Sequence, residues 1–372
     1  MRRIGAFILV AALLALTVNG QDELGYARSS RESVEQFLKR IGVQVGGDLD
    51  RGRIVAIGTS GFYMKGNESD DESGLKETYD FPDEADDDNE TRRFKAVWKA
   101  YANGLARIAS DLETSLDSKE MKDRNGNILS QTLKTSATQS LTGIVTITMA
   151  ESCSTDGEYE VTVAVCQSQK RAEAYSCGLN GGNATPGKYT LEEWVKQKSE
   201  WGFGIIYPQS YCDNEGDWWR VAGVPVDLGA GRNSKKVAVL TEKAKRYAYE
   251  AAMRTIAVRV STSTSTLISF DSSERGKQKG KTEKTVKIDP INTVLPVDPS
   301  QVRWFELDRK NPMTGNSVRC VVAALRSGNY KNVTDEPSNA PAKALAREST
   351  TARQITASGT GASSESLRNE RR

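Results

Sequence analysis

Two octapeptides in this chain present nearly the same side chains in the same order. Ser33–Arg40 reads SVEQFLKR and Thr190–Gln197 reads TLEEWVKQ. In each, a hydroxyl residue is followed three positions later by Gln or Glu, the spacing of a capping box at a helix start. Val34, Phe37 and Leu38 then share one helical face, as do Leu191, Trp194 and Val195. The echo continues downstream. RIVAIGTSGF (53–62) and WWRVAGVPVDLG (218–229) are apolar, β-branched runs that read as strands. FKAVWKAYANGLARIASDLETS (94–115) and EKAKRYAYEAAMRTIAVRVSTS (242–263) carry apolar residues at helical spacing. Aligning Ile108 with Ile256 superposes Tyr101 on Tyr249 and Leu105 on Met253. Each copy closes in a hairpin, 143–152 with 159–168 and 301–308 with 318–327, whose alternation implies one buried face.

The unit helix, strand, long helix, strand, strand therefore recurs at 31–168 and 189–327. The fold class expected is α+β, with two related domains, each a small antiparallel sheet covered by a long amphipathic helix. A length of 372 residues suits two such domains. Segment 169–188 reads as a linker, and 328–372 lacks any period and reads as a disordered tail. The copies differ in their insertions. An acidic loop spans 65–93 in the first, and a Lys-rich, Gly-punctuated stretch spans 274–287 in the second. Contact between the basic stretch and acidic segment 68–90, within the chain or between chains, is the sharper expectation for these two loops.

The chain contains no histidine. Ser-His-Asp and Cys-His nucleophile systems and imidazole metal sites are thereby excluded. A net charge of +2 exerts no general pull on nucleic acid, and none is expected as a partner. GNATPGKY (182–189) has the Gly and Lys spacing of a phosphate loop but Tyr189 in place of the hydroxyl, so it is assigned to the linker. DRNGNILSQTLK (123–134) begins like a calcium loop but has Ile128 for the required Gly and Lys134 for the closing Glu. No metal, cofactor or catalytic residue is expected. Aromatic residues gather at Trp201, Tyr207, Tyr211, Trp218 and Trp219, which could form a sugar or peptide platform or a domain core.

Arg2 and Arg3 precede an apolar run, Ile4 to Val18, too short for a spanning helix. Residues 1–20 read as a signal peptide cleaved near Gly20, which places the protein in the periplasm or at the cell surface. Of the five cysteines, Cys177 and Cys212 are the pair expected to bridge in an oxidising compartment. Cys166 and Cys320 lie in strand-like runs and suit buried thiols.

An exported chain with Val55-Ala56-Ile57-Gly58, the helix at 94–115 and the closing strand Tyr159 to Ser168 resembles two bacterial envelope domains. These are the lipoprotein-20-like domain and the N-terminal domain of the flagellar assembly protein T. Val221-Ala222-Gly223, 242–263 and Val318 to Ser327 repeat the likeness, but the lipid-acceptor Cys is missing. The resemblance implies a non-catalytic binding or assembly scaffold, associated peripherally with the envelope and partnered by envelope proteins or by itself. The alternative is a His-free hydrolase or carbohydrate-binding protein that uses the aromatic residues of 201–219.

Overall fold

The computed structural model describes residues 32–48, 53–64, 75–112, 115–122, 128–168, 187–229, 233–255, 257–270, 278–291 and 301–329. The expected signal peptide, most of the linker and the tail lie outside them. The first repeat runs α1 (Val34–Arg40), β1 (Gly46–Asp48), β2 (Arg53–Tyr63), β3 (Leu75–Thr78), α2 (Asn89–Leu112), β4 (Ser115–Lys122), β5 (Ile128–Thr142), β6 (Ile144–Cys153) and β7 (Glu158–Ser168). The second runs α3 (Leu191–Trp201), β8 (Ile206–Cys212), β9 (Asp217–Asp227), α4 (Ser234–Met253), β10 (Ala257–Phe270), β11 (Gln278–Pro290), β12 (Val302–Lys310) and β13 (Ser317–Asn329).

Both capping boxes form. Ser33 Oγ accepts the Gln36 N–H at 3.2 Å while Gln36 Oε1 accepts the Ser33 N–H at 3.0 Å. Thr190 Oγ1 and Glu193 Oε2 exchange the equivalent bonds at 3.3 and 3.0 Å. The two helices then bury the faces read from sequence, Val34, Phe37 and Leu38 in one and Leu191, Trp194 and Val195 in the other.

The fold is α+β. Strand order β1-β2-β7-β6 in one sheet is repeated as β8-β9-β13-β12 in another. Val55 and Ala56 pair with Cys166 and Val165, and Val221 and Ala222 pair with Ala324 and Ala323 in the same sense. Each sheet is covered on both faces. The outer faces hold α1 on Val55, Ile57, Ala164 and Cys166, and α3 on Val221, Cys320, Val322 and Ala324. The inner faces, with Ala56, Val163 and Val165 and with Ala222, Val321 and Ala323, share one central core with α2 and α4.

The long helices match one position away from the alignment on Ile108 and Ile256. Phe94, Val97, Tyr101 and Leu105 are buried along α2, and Thr241, Ala244, Ala248 and Ala252 are buried along α4, whereas Tyr249 and Met253 are only partly buried. Small residues on α4 thus stand where α2 has large ones. In the first repeat the small residues sit instead at Gly58 and Gly104. A Cβ on Gly58 would lie 2.0 Å from the Ala100 carbonyl oxygen, and one on Gly104 would lie 2.7 Å from a Val165 methyl. The glycines let helix and strand backbones touch.

The α4 helix ends at Met253, so the second half of the helical expectation over 242–263 is a strand. AVRVSTSTSTLISF alternates β-branched residues at period two, a pattern that suits a pleated sheet. Residues 278–287 of the Lys-rich stretch likewise form part of strand β11, not a solvated loop, and ILSQTLK (128–134) belongs to β5. These strands build a third sheet, β3-β11-β10-β5-β4, to which both repeats contribute. Residues 75–78 of the expected acidic loop form its edge strand β3, and 89–93 form the first turn of α2. Among the described residues no helix is long and apolar enough to cross a membrane.

Candidate functional site

Chemistry-bearing side chains converge where α2 meets the second repeat. Arg93 is fully buried near the start of α2. It donates from Nη1 to Glu90 Oε2 at 3.2 Å and to the Phe203 carbonyl at 2.9 Å. From Nη2 it reaches Glu151 Oε2 and the Gly202 carbonyl, both at 2.7 Å, and Nε also reaches Glu151 Oε2 at 3.2 Å. These bonds engage the whole guanidinium fork. Gly202 and Phe203 cap the C-terminus of α3, where a cation complements the unpaired carbonyls. Phe203 adopts a left-handed conformation, φ 49°, that turns its carbonyl toward Arg93.

Two carboxylates thus converge, but they are sealed. The side chains of Glu90 and Glu151 are 2% and 5% exposed. Burial pushes the Glu90 carboxyl above its ordinary range, against the pull of Arg93 and of a 2.9 Å bond from Asn311 Nδ2. Asn311 lies in the turn between β12 and β13, so this node draws on three parts of the chain.

Two residues further along α2, Lys95 is buried and bonds Asp87 and, at 2.5 Å, the Pro82 carbonyl. Asp87 accepts from Lys243 of α4 at 3.2 Å, and Lys243 also bonds Glu84 at 2.8 Å. Tyr247 donates to the second Glu84 oxygen at 3.1 Å and stacks on Phe94 with centroids 5.7 Å apart. Burial would raise the Asp87 carboxyl. The bonds from Lys95, the Glu84 N–H and Lys243 outweigh it and hold Asp87 below the usual range. The bond from Lys243 holds Glu84 low as well. Burial would lower the Lys243 ammonium, but its bonds to Glu84 and Asp87 raise it.

Oxygens of Glu84, Asp86 and Asp87 lie within 4.8 Å of one another, as cation ligands would. The ammonium groups of Lys95 and Lys243 already supply positive charge to two of the three. A shallow cleft beside them is lined by Asp88, Thr91, Val224, Leu240 and Tyr247.

The acidic and basic insertions meet, as their charges suggest. β3 pairs in parallel with β11 from Leu75 opposite Thr282 to Thr78 opposite Thr285. Lys284 Nζ lies 3.2 Å from Glu77 and 2.7 Å from Asn103 of α2.

The aromatic residues of the 201–219 run are distributed over several environments. Tyr211 stacks on Trp194 at 4.5 Å, with planes 5° apart, inside the cluster beneath α3 that also holds Trp219. Trp219 donates to Asp213 at 2.8 Å, and Tyr211 donates to the Tyr189 carbonyl at 2.6 Å. Trp218 is buried on the other side of β9, as its adjacency to Trp219 requires. Tyr207 is half-buried against the central core, and Trp201 is half-buried with the Lys198 ammonium 5.1 Å from its ring. Cys212 is buried, while Cys177 lies outside the described residues. The Gly187 N–H donates to the Cys212 carbonyl at 2.8 Å, which ties the end of the phosphate-loop lookalike to β8.

Sequence reasoning missed Arg93, Lys95, Glu90, Glu151 and Asn311. Their signal was faint: Lys95 opens the polar stripe Lys95, Lys99, Asn103 and Arg107 of α2, which reads as a solvated face, and Arg93 meets Glu151 and the Phe203 carbonyl only through the fold. No family model matches this chain, and neither curated proteins nor solved structures contain a match to it.

Proposed function

We propose that this protein is a non-catalytic exported scaffold of the cell envelope, working by binding or assembly with envelope proteins or with itself. One observation carries the reading. The buried ionisable side chains around α2 neutralise one another within the first repeat, and bonds from Arg93 to the Gly202 and Phe203 carbonyls, from Asn311 to Glu90 and from Lys243 to Asp87 tie that network to the second repeat, so these groups serve cohesion. Glu90 and Glu151 are a carboxylate pair of the kind a His-free hydrolase requires, but Arg93 bridges them in a sealed interior. The dispersal of Tyr211, Trp218 and Trp219 among core environments weakens the carbohydrate-platform alternative.

Fractionation of cells that produce the chain tests export. The expected result is recovery with the envelope or periplasm, with an N-terminus near Gln21. Recovery in the cytoplasm with Met1 or Arg2 at the N-terminus would overturn it. Cross-linking in the intact envelope, followed by identification of attached proteins, tests the scaffold role.

A further inference from the structure

The third sheet joins the repeats through strands that are not equivalent. β4 and β10 are the first strands of their hairpins, and β5 and β11 the second. The seam runs between β5 and β10, antiparallel from Ala257 opposite Thr142 to Ser269 opposite Ser130. A two-fold relation would have paired like with like. This pairing is instead a translation, one hairpin set beside the next with both pointing the same way. A translational contact uses two different surfaces and leaves one of each unused at the ends. Here the unused surfaces are the far edge of β4, equivalent to the edge of β10 that meets β5, and the far edge of β11, equivalent to the edge of β5 that meets β10. Among the described residues no strand flanks β4 on its far side, and Leu116 there is 71% exposed. β3 covers the far edge of β11, but only from Thr282 to Thr285 and in parallel.

We propose that copies of this chain add head to tail through the third sheet, β4 of one copy pairing antiparallel with β11 of the next, with β3 as a short displaceable cap on the receiving edge. This deepens the scaffold reading by naming a second copy of the chain as a partner. The internal β5–β10 seam is the template for the contact. Strictly in-step translation would oppose Asp117 to Glu283 and Lys119 to Lys281, like charges in both cases. A shift of two residues toward the tip of the β11 hairpin sets Asp117 opposite Lys281 and leaves a single like-charge pair, Lys119 opposite Lys279. That register overlaps β3 only at Thr282 and Glu283 and leaves the 3.1 Å bond from the Ile288 N–H to Asp80 intact. A parallel pair of four residues is a weak competitor for an antiparallel pair that continues an existing sheet.

The test is disulfide trapping in the full chain with Cys153→Ser and Cys177→Ser, adding Asp117→Cys and Lys281→Cys. Within one chain these positions are separated by the intervening strands β5 and β10, about 14 Å at ordinary strand spacing, too far for a disulfide. Mild oxidation should give a ladder of dimers, trimers and longer species, while either single cysteine gives no more than dimers. Lys76→Pro, which weakens β3, should shift the ladder to longer species at the same concentration. A chain that stays monomeric by light scattering over a concentration series and forms no ladder overturns the proposal. Envelope recovery with no ladder would refute head-to-tail addition and leave the scaffold reading standing. A ladder from chain found only in the cytoplasm would do the reverse.

Discussion

Gly58 is a residue at which the backbones of β2 and α2 touch. Its missing side chain admits the Ala100 carbonyl and the Gly104 N–H, so Gly58→Ala should be destabilising by 1 kcal/mol or more, the scale of overpacking (~1–3 kcal/mol). Urea denaturation would read this as a lower midpoint at unchanged slope. The thiols differ in the same local way. Burial pushes the Cys320 thiol up to about 12, whereas Cys153 is only partly buried. A maleimide reagent at neutral pH should therefore label Cys153 in the native chain and reach Cys320 only after unfolding, which peptide mapping can check. Arg93 is a costly side chain to remove. Arg93→Met leaves Glu90 and Glu151 buried without their cation, a loss of about 3–5 kcal/mol where a buried pair is broken from one side. Much of this scale was invisible in sequence. Capping residues act on neighbours three positions away, so Ser33 and Thr190 could be read directly. Arg93 acts on Glu151 and Phe203, and nothing local announces such partners.

Among elements, α4 is joined to the segment that leads into α2 by Lys243, which bonds Glu84 and Asp87. The signs of the shifts fix when this clamp holds. The two carboxyls are depressed, so their contribution is complete above the ordinary carboxylate range of about 4 and is lost as pH falls through their lowered folded values. Lys243 is raised, so its contribution is complete below about 10.4 and is lost as pH rises through its elevated folded value. The stability difference between wild type and Lys243→Met should therefore be flat from about pH 5 to 9 and shrink below about pH 4. Its size should be on the order of 1 kcal/mol, because solvent screens Lys243 and Glu84 in part. Strands with apolar alternation, β2, β7, β9 and β13, were legible from their pattern. Strands β4, β5, β10 and β11 were not, because both faces of their outer halves carry Ser, Thr and Lys. In those outer halves register comes from strand pairing, within each hairpin and across the β5–β10 seam, and not from a buried face.

For the whole molecule, two four-stranded sheets repeat one strand order, and the shared core and third sheet hold the two halves together. The inner faces of both sheets, α2 and α4 contribute to one apolar cluster, and Thr146 Oγ1 donates across to the Pro208 carbonyl at 2.6 Å. Neither repeat has a complete third sheet alone. Native-state hydrogen exchange in rising urea tests most directly whether two copies of one unit fold as a single cooperative body. The slowest amides of β2 and β7 should merge with those of β9 and β13 into one unfolding isotherm, joined by the β5–β10 seam. Two separate isotherms, with one repeat opening while the other stays protected, would contradict it.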